Sequence, residues 1–191
     1  VDHCSFDNGG DGCLDLTDGA ENVTIQYCII GDAESGAMLL AYAGTRFISV
    51  HHNIFLGWER LPLVHRANDN RPTNTEDIMC VLENNIIWGW DRLATWVDYG
   101  GTIQCKNNFY QKSGGAFGVN EDSSGAKIFC SGNVAKGGSS VGQSNHAEWN
   151  IPTQYRVTLQ PAAQAAETVK AEAGCFPRDS YDQNLVNKIS L

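Results

Sequence analysis

Short segments of alternating apolar and polar residues recur along the chain, and each has the same internal order. A strand-like run meets a Cys or an Asn, and a second short apolar pair follows it. Runs of this kind, separated by turn residues, are typical of β-strands joined at tight bends. The segments lie at residues 23–30, 48–55, 80–87, 103–110 and 128–134.

The Cys or Asn at each bend sets the period of this repeat. These anchor residues are separated by 24, 25, 32, 23 and 25 residues. A period in this range is typical of a solenoid, and strand-like units indicate a parallel β-helix. We therefore predict an all-β fold, a right-handed parallel β-helix (solenoid), over residues 1–160. The anchors are Cys4, Cys28, Asn53, Asn85, Asn108 and Asn133.

Equivalent residues of neighbouring coils are expected to stack. An Asn at a bend can hydrogen-bond the amide of the next coil, and it tolerates the left-handed conformation that a bend requires. Cys105 and Cys130 each lie three residues before an anchor, which predicts that they are neighbours. The chain has seven cysteines and no CxxC pair, so we expect them to pack in the interior rather than form disulfides or a zinc site.

The C-terminal part departs from the repeat. Residues 161–174 predict a helix with Pro at its start and Gly at its end, and residues 178–187 predict a second short helix or an irregular strap. We expect residues 161–191 to form a helical tail that packs on the β-helix. Because the chain begins with Val1 inside a strand-like segment, we also expect N-terminal coils and a signal peptide to precede it.

The charge of the chain restricts its partners. The formal net charge is -9 and the pI is about 4.9, which disfavours nucleic acid because phosphate contacts need a basic surface. The apolar runs are too short to span a membrane. We therefore expect a monomer that binds neither nucleic acid nor membrane. An acidic polysaccharide would be repelled unless a divalent cation bridges the two.

Two carboxylates form the first candidate site. Asp11 and Asp15 are four residues apart and the flexible Gly12 follows the first, so both side chains can point into one groove. Oxygen-rich clusters suit calcium, which tolerates irregular geometry. The alternative is a solvated turn, because Asp and Gly are ordinary turn residues.

An insertion holds the second candidate site. The interval from Asn53 to Asn85 is longer than the others, and insertions in solenoids become loops, often on the binding face. This insertion contains Arg60, His65 and Arg66. Arginine binds carboxylates through two parallel hydrogen bonds. The alternative is a charged surface patch without a ligand.

Taken in order, these motifs resemble the pectate lyase superfamily over essentially the whole chain. The matching pieces are the opening residues 1–6, Asp11-Gly-x-x-Asp15, residues 22–25, His52-Asn53, Arg60-x-Pro62 and the tail residues 173–182.

The resemblance implies a secreted, calcium-dependent enzyme that cleaves polygalacturonate, or pectin, by β-elimination. It implies that Asp11 and Asp15 bind calcium and that Arg60 takes the C5 proton of the uronate. It also leads us to expect that His65 and Arg66 bind the substrate.

Three departures from the family pattern leave two alternatives open. An upstream Asp of the calcium site would precede Val1, no Lys occurs in residues 32–38, and Leu63 and His65 stand where the family favours arginine. One alternative is a pectin lyase-like enzyme with altered uronate specificity that needs no calcium. The other is a non-catalytic, polysaccharide-binding or adhesive β-helix.

Overall fold

The computed structural model describes residues 1–42, 44–65, 78–91, 93–112, 117–121 and 125–191. The strands within these residues are β1 (Ser5–Phe6), β2 (Leu16–Thr17), β3 (Glu21–Gln26), β4 (Ile29–Gly31), β5 (Leu39–Ala41), β6 (Arg46–His51), β7 (Ile54–Leu56), β8 (Leu63–His65), β9 (Cys80–Glu83), β10 (Ile86–Trp88), β11 (Leu93–Asp98), β12 (Thr102–Lys106), β13 (Phe109–Gln111), β14 (Phe117–Glu121), β15 (Lys127–Ser131) and β16 (Val134–Lys136). A 3₁₀-helix (Thr153–Tyr155) and the α-helices α1 (Ala162–Glu172) and α2 (Ser180–Lys188) follow the strands.

The strands stack into three parallel sheets around one apolar core. Sheet 1 has the order β14-β11-β8-β5-β2, sheet 2 has the order β15-β12-β9-β6-β3, and sheet 3 has the order β1-β4-β7-β10-β13-β16. Strands that are adjacent in a sheet come from successive coils, and each coil contributes one strand to each sheet. The core between the sheets contains fully buried side chains such as Ile48, Leu82 and Ile103. The predicted parallel β-helix is confirmed.

The anchor asparagines form a continuous ladder at the bend between sheets 2 and 3. The Oδ1 of Asn53 accepts a hydrogen bond from the Cys28 amide at 2.8 Å, and the Oδ1 of Asn85 accepts from the Asn53 amide at 2.9 Å. The backbone amide of Asn85 donates to the Oδ1 of Asn108, and the backbone amide of Asn108 donates to the Oδ1 of Asn133. The predicted stacking of the anchors is therefore confirmed.

The left-handed residue of each bend is the one before the anchor, so the expectation that the anchor Asn adopts this conformation is wrong. The anchor's amide N–H must face the next coil to join the ladder, so the chain turns one residue earlier. The values of φ at these positions are between +49° and +66°. The left-handed residues are His3, Tyr27, His52, Asn84, Asn107 and Gly132.

The cysteines are free thiols, and most of them lie in the core. Cys28, Cys80 and Cys105 are fully buried, and Cys105 pairs in register with Cys130, as predicted. Burial raises the pKa of the Cys28 thiol to about 11, which keeps it protonated at neutral pH. Cys175, in contrast, is exposed.

The C-terminal tail covers the outer face of sheet 3. Helix α1 begins after Pro161, and α2 has Asp179 as its N-cap, whose side chain accepts from the Asp182 amide. Val169 and Val186 pack in one apolar cluster with residues of β7, β10 and β13. Both predicted helices are present, whereas the division of the chain into domains at residues 160 and 161 stays a prediction. No helix in the described ranges is long and apolar enough to cross a membrane.

Candidate active site

The candidate site is built from the turns that connect sheet 3 to sheet 1 on successive coils. Backbone hydrogen bonds hold these turns in register: the Ser35 amide donates to the Asp11 carbonyl at 3.1 Å, and the Met38 amide donates to the Arg60 carbonyl at 3.1 Å. As a result, residues from three coils share one open cavity of about 220 Å³. Its lining residues are Asp11, Gly12, Asp15, Ser35, Gly36, Met38, Leu39, Tyr42 and Arg60.

The negative charge of Asp11 acts on Asp15 in this cavity. The Oδ1 of Asp15 accepts a hydrogen bond from the Leu39 amide at 2.9 Å. Partial burial raises the pKa of Asp15, and the negative charge of Asp11 raises it further, against the opposing effects of the Leu39 amide and Arg60. A carboxylate that is destabilised by its neighbour favours a cation between the two, because the cation relieves their repulsion.

Asp11 and Asp15 fit part of a calcium site. Calcium takes six to eight oxygen ligands, and carboxylates are preferred among them. Within the described ranges, no group of three or more His, Cys, Asp or Glu side chains is arranged to hold a metal ion. The described residues therefore supply part of the oxygen ligands that a calcium ion requires.

Arg60 is held at the same cavity by three contacts. Its backbone lies in the left-handed region with φ of +56°, and its Nη1 donates to the Oγ of Ser35 at 2.9 Å. Its Nε lies 3.9 Å from the Oε1 of Glu59 and makes no hydrogen bond within the described part of the chain. The aliphatic part of the side chain lies directly against Gly36.

Sequence reasoning did not identify Ser35. Asp11, Ser35 and Arg60 are separated by 24 and 25 residues, which is one coil each. The repeat period is thus the signal that could have placed Ser35 beside both of them.

His65 lies outside this cavity. Its Nδ1 is 2.5 Å from the Oδ1 of Asp98, and the Tyr99 and Tyr42 rings contact its ring edge-on at centroid distances of 5.0 and 6.3 Å. Tyr42 contacts His65 and also lines the cavity. The role of His65 in substrate binding stays a prediction, and Arg66 lies outside the described residues.

The tryptophans divide between the core and the surface. Trp90 is buried, whereas Trp58 has 62% of its surface exposed. Trp58 lines an open groove together with Asp32 and Glu34. This groove adjoins the active-site cavity along the chain, since Glu34 precedes Ser35 and Trp58 lies two residues before Arg60. Trp58 is therefore an exposed aromatic side chain beside the candidate cavity.

The chain is similar in sequence to a curated protein. No family model matches the chain. The chain is 25% identical over 186 residues to a pectin lyase of Pseudomonas marginalis. The alignment covers 91% of this chain and 57% of that protein. The chain thus spans less than two thirds of the length of its curated relative.

Solved structures with the same architecture are similar over most of the chain. Jun a 1, the major allergen from cedar pollen, has a TM-score of 0.69 at 18% identity, over 91% of this chain and 52% of the allergen. Pectate lyase II from Xanthomonas campestris has a TM-score of 0.66 at 22% identity, over 92% of this chain and 54% of the lyase. The chain therefore has the parallel β-helix fold of these structures.

Proposed function

We propose that the protein is a calcium-dependent polysaccharide lyase that cleaves polygalacturonate by β-elimination. The observation that carries this proposal is the shared cavity of Asp11, Asp15 and Arg60, to which three coils contribute. The similarity to a pectin lyase of Pseudomonas marginalis and to pectate lyase II of Xanthomonas campestris supports the class of enzyme.

Asp11 and Asp15 would hold the calcium ion. Calcium, when bound, supplies positive charge beside the uronate carboxylate and so makes the neighbouring C5 proton more acidic. In the elimination, the base takes the C5 proton, the C5 electron pair forms the C4=C5 double bond, and the C4–O bond breaks. The departing glycosidic oxygen then takes up a proton.

Arg60 would be the base that takes the C5 proton. A general base must first be within reach of its proton, and the left-handed backbone and the contact with Ser35 hold Arg60 at the cavity. Arginine is almost always protonated in water, so this role requires nearby cations that disfavour its charged form. The same cations reduce the repulsion between a protein of charge -9 and an acidic polymer.

Two further parts of the proposal concern the substrate and the setting. His65 and Arg66 would bind a uronate carboxylate, and the His65 ring is oriented by Asp98. The protein would be secreted and would act on its polymer as a monomer.

A second candidate is a pectin lyase-like enzyme that acts on methyl-esterified polymer without calcium. Two observations favour it. Residues 32–38 contain no Lys to bind a free carboxylate, and the cavity supplies only Asp11 and Asp15 as carboxylate ligands among the described residues. A third candidate, a binding β-helix without activity, is disfavoured by the ordered contacts of Arg60.

The test is the ultraviolet absorbance of the unsaturated uronate product. Polygalacturonate and highly methylated pectin are each incubated with the protein, first with calcium and then with a chelator. We expect a calcium-dependent rise on polygalacturonate that Arg60→Ala abolishes and that the surface control Arg46→Ala retains. A rise on methylated pectin that resists the chelator would favour the second candidate, and retained polymer binding without any rise would favour the third.

A further inference from the structure

A second cavity lies on the outer face of sheet 2, where the segment 148–159 crosses β9 and β12. The Trp149 amide donates to the Oε1 of Gln104 at 3.0 Å, and the Nζ of Lys106 lies 2.6 Å from the Oε1 of Glu148. Ile151 packs on Val81 of β9. The cavity between the segment and the sheet has a volume of about 410 Å³, within the range of small-molecule sites.

Glu83 is the unusual residue of this second cavity. Only 5% of its surface is exposed, and it lines the second cavity. Burial raises the pKa of Glu83 to about 7. The positive charge of Lys106 opposes this shift, and the negative charge of Glu148 adds to it. A buried carboxyl group costs free energy unless it is hydrogen-bonded, and a ligand with hydroxyl groups would supply hydrogen bonds to it.

The polar groups around Glu83 are held in fixed positions. The Nη2 of Arg156 donates to the Oδ1 of Asn150 at 2.7 Å, and its Nε donates to the Ile151 carbonyl at 2.7 Å. Asn150 and Trp149 line the same cavity. Planar amide, carboxyl and guanidinium groups thus converge beside an aromatic ring without needing to reorganise on binding.

The charges of the second cavity decide the class of ligand. Its acidic side chains are Glu83 and Glu148, and its basic side chains are Lys106 and Arg156, so the formal charges cancel. A strongly anionic or cationic molecule therefore gains little net attraction. A neutral molecule with several hydroxyl groups matches both the balanced charge and the planar hydrogen-bonding groups.

We propose that this second cavity binds one neutral sugar unit through neighbouring hydroxyl groups, with Glu83 as a hydrogen-bond partner. It shares no lining residue with the cavity of Asp11, Asp15 and Arg60, which is formed along sheet 1. The proposal therefore stands independently of the lyase activity.

Saturation-transfer NMR tests the proposal, with methyl α-D-galactopyranoside and methyl α-D-glucopyranoside as probes. We expect saturation of the ring protons of at least one probe by the unmodified protein. Glu83→Leu should weaken the affinity about tenfold, because it removes the buried hydrogen-bond partner. The exposed control Glu167→Leu in α1 should bind like the unmodified protein.

Two results would overturn the proposal. One is the absence of saturation transfer from the unmodified protein to either probe. The other is a signal that Glu83→Leu retains and Arg60→Ala loses, because the sugar would then occupy the active-site cavity. Circular dichroism checks that Glu83→Leu is folded. If Glu83→Leu does not fold, the variant Trp149→Leu, which should also weaken binding, is used in its place.

Discussion

Gly36 lies so close to Arg60 that a Cβ atom on Gly36 would be 2.5 Å from the Cβ of Arg60. The backbone of Gly36 has φ of +153°, which side chains rarely adopt. Both facts require glycine at this position. A residue without any functional group, one coil earlier in the chain, thus determines where the Arg60 side chain can lie.

Replacement of Gly36 should therefore damage catalysis more than folding. In Gly36→Ala the new methyl group displaces Arg60, and we expect kcat to fall about 100-fold, as for a catalytic group misplaced by about 1 Å. The matched control is Gly100→Ala, where φ is +78° and no atom lies within 4 Å of the added Cβ. Initial rates on polygalacturonate check this prediction, and an unchanged kcat in Gly36→Ala would contradict it.

Calcium should stabilise the protein through Asp15. At a concentration of about 100 times the Kd, a bound ion adds about 2.7 kcal/mol, which corresponds to a Tm rise of about 5–10 °C. Asp15→Asn should lose most of this rise, whereas the exposed control Asp18→Asn should keep it. The rise in Tm should diminish as the pH is lowered. Because the pKa of Asp15 is raised, protons compete with calcium at a higher pH than they would for an ordinary aspartate. Thermal unfolding with and without calcium is the measurement.

Burial of Glu83 should make stability depend on pH. The pKa of Glu83 in the folded protein is about 7, above its ordinary value of 4.5, so the folded state binds the proton more tightly than the unfolded chain. This contribution to stability is complete below pH 4.5 and is lost as the pH rises to about 7. Urea unfolding from pH 4 to pH 8 should show a loss that is absent in Glu83→Gln. An identical pH profile for both proteins would show that Glu83 is not the cause.

The asparagine ladder should depend strongly on Asn85, one of its two inner members. Asn85 accepts from Asn53 and donates to the backbone carbonyls of Val50 and Glu83. In Asn85→Ala these buried groups lose their hydrogen-bond partner, which costs about 1–3 kcal/mol for each group. We therefore expect the free energy of unfolding to fall by at least about 2 kcal/mol. Asn184→Ala, on the exposed face of α2, should change the unfolding free energy by less than about 0.5 kcal/mol. Urea unfolding at one pH compares the two variants.

Trp58 should contribute to polymer binding rather than to the chemical step. Its exposed ring is at the groove next to the cavity, and removing it takes away contact area without disturbing Arg60. For Trp58→Ala we expect KM to rise about tenfold with kcat nearly unchanged, because the lost contact is the same in the ground and transition states. The buried Trp90 is no suitable control, so Tyr155→Ala, far away at sheet 2, serves instead. A fall in kcat with unchanged KM would contradict this prediction.

The sequence determined the features that repeat or that depend on near neighbours. The spacing of Asn53, Asn85 and Asn108 predicted the coils and the ladder, because each coil must place the same residue at the same bend. The position of Cys105 relative to its anchor predicted its pairing with Cys130. Pro161 and Gly174 marked the ends of the first helix, because their backbone preferences act locally.

Only the tertiary structure decided which side chains outside the repeat meet across the coils. The contacts of His65 with Asp98 and of the segment 148–159 with Glu83 join residues that are 33 or more positions apart. No local preference encodes such contacts, because they arise when the coils stack and bring distant turns together. The same stacking buries Glu83 and places Gly36 beneath Arg60, and so sets the chemistry of both cavities.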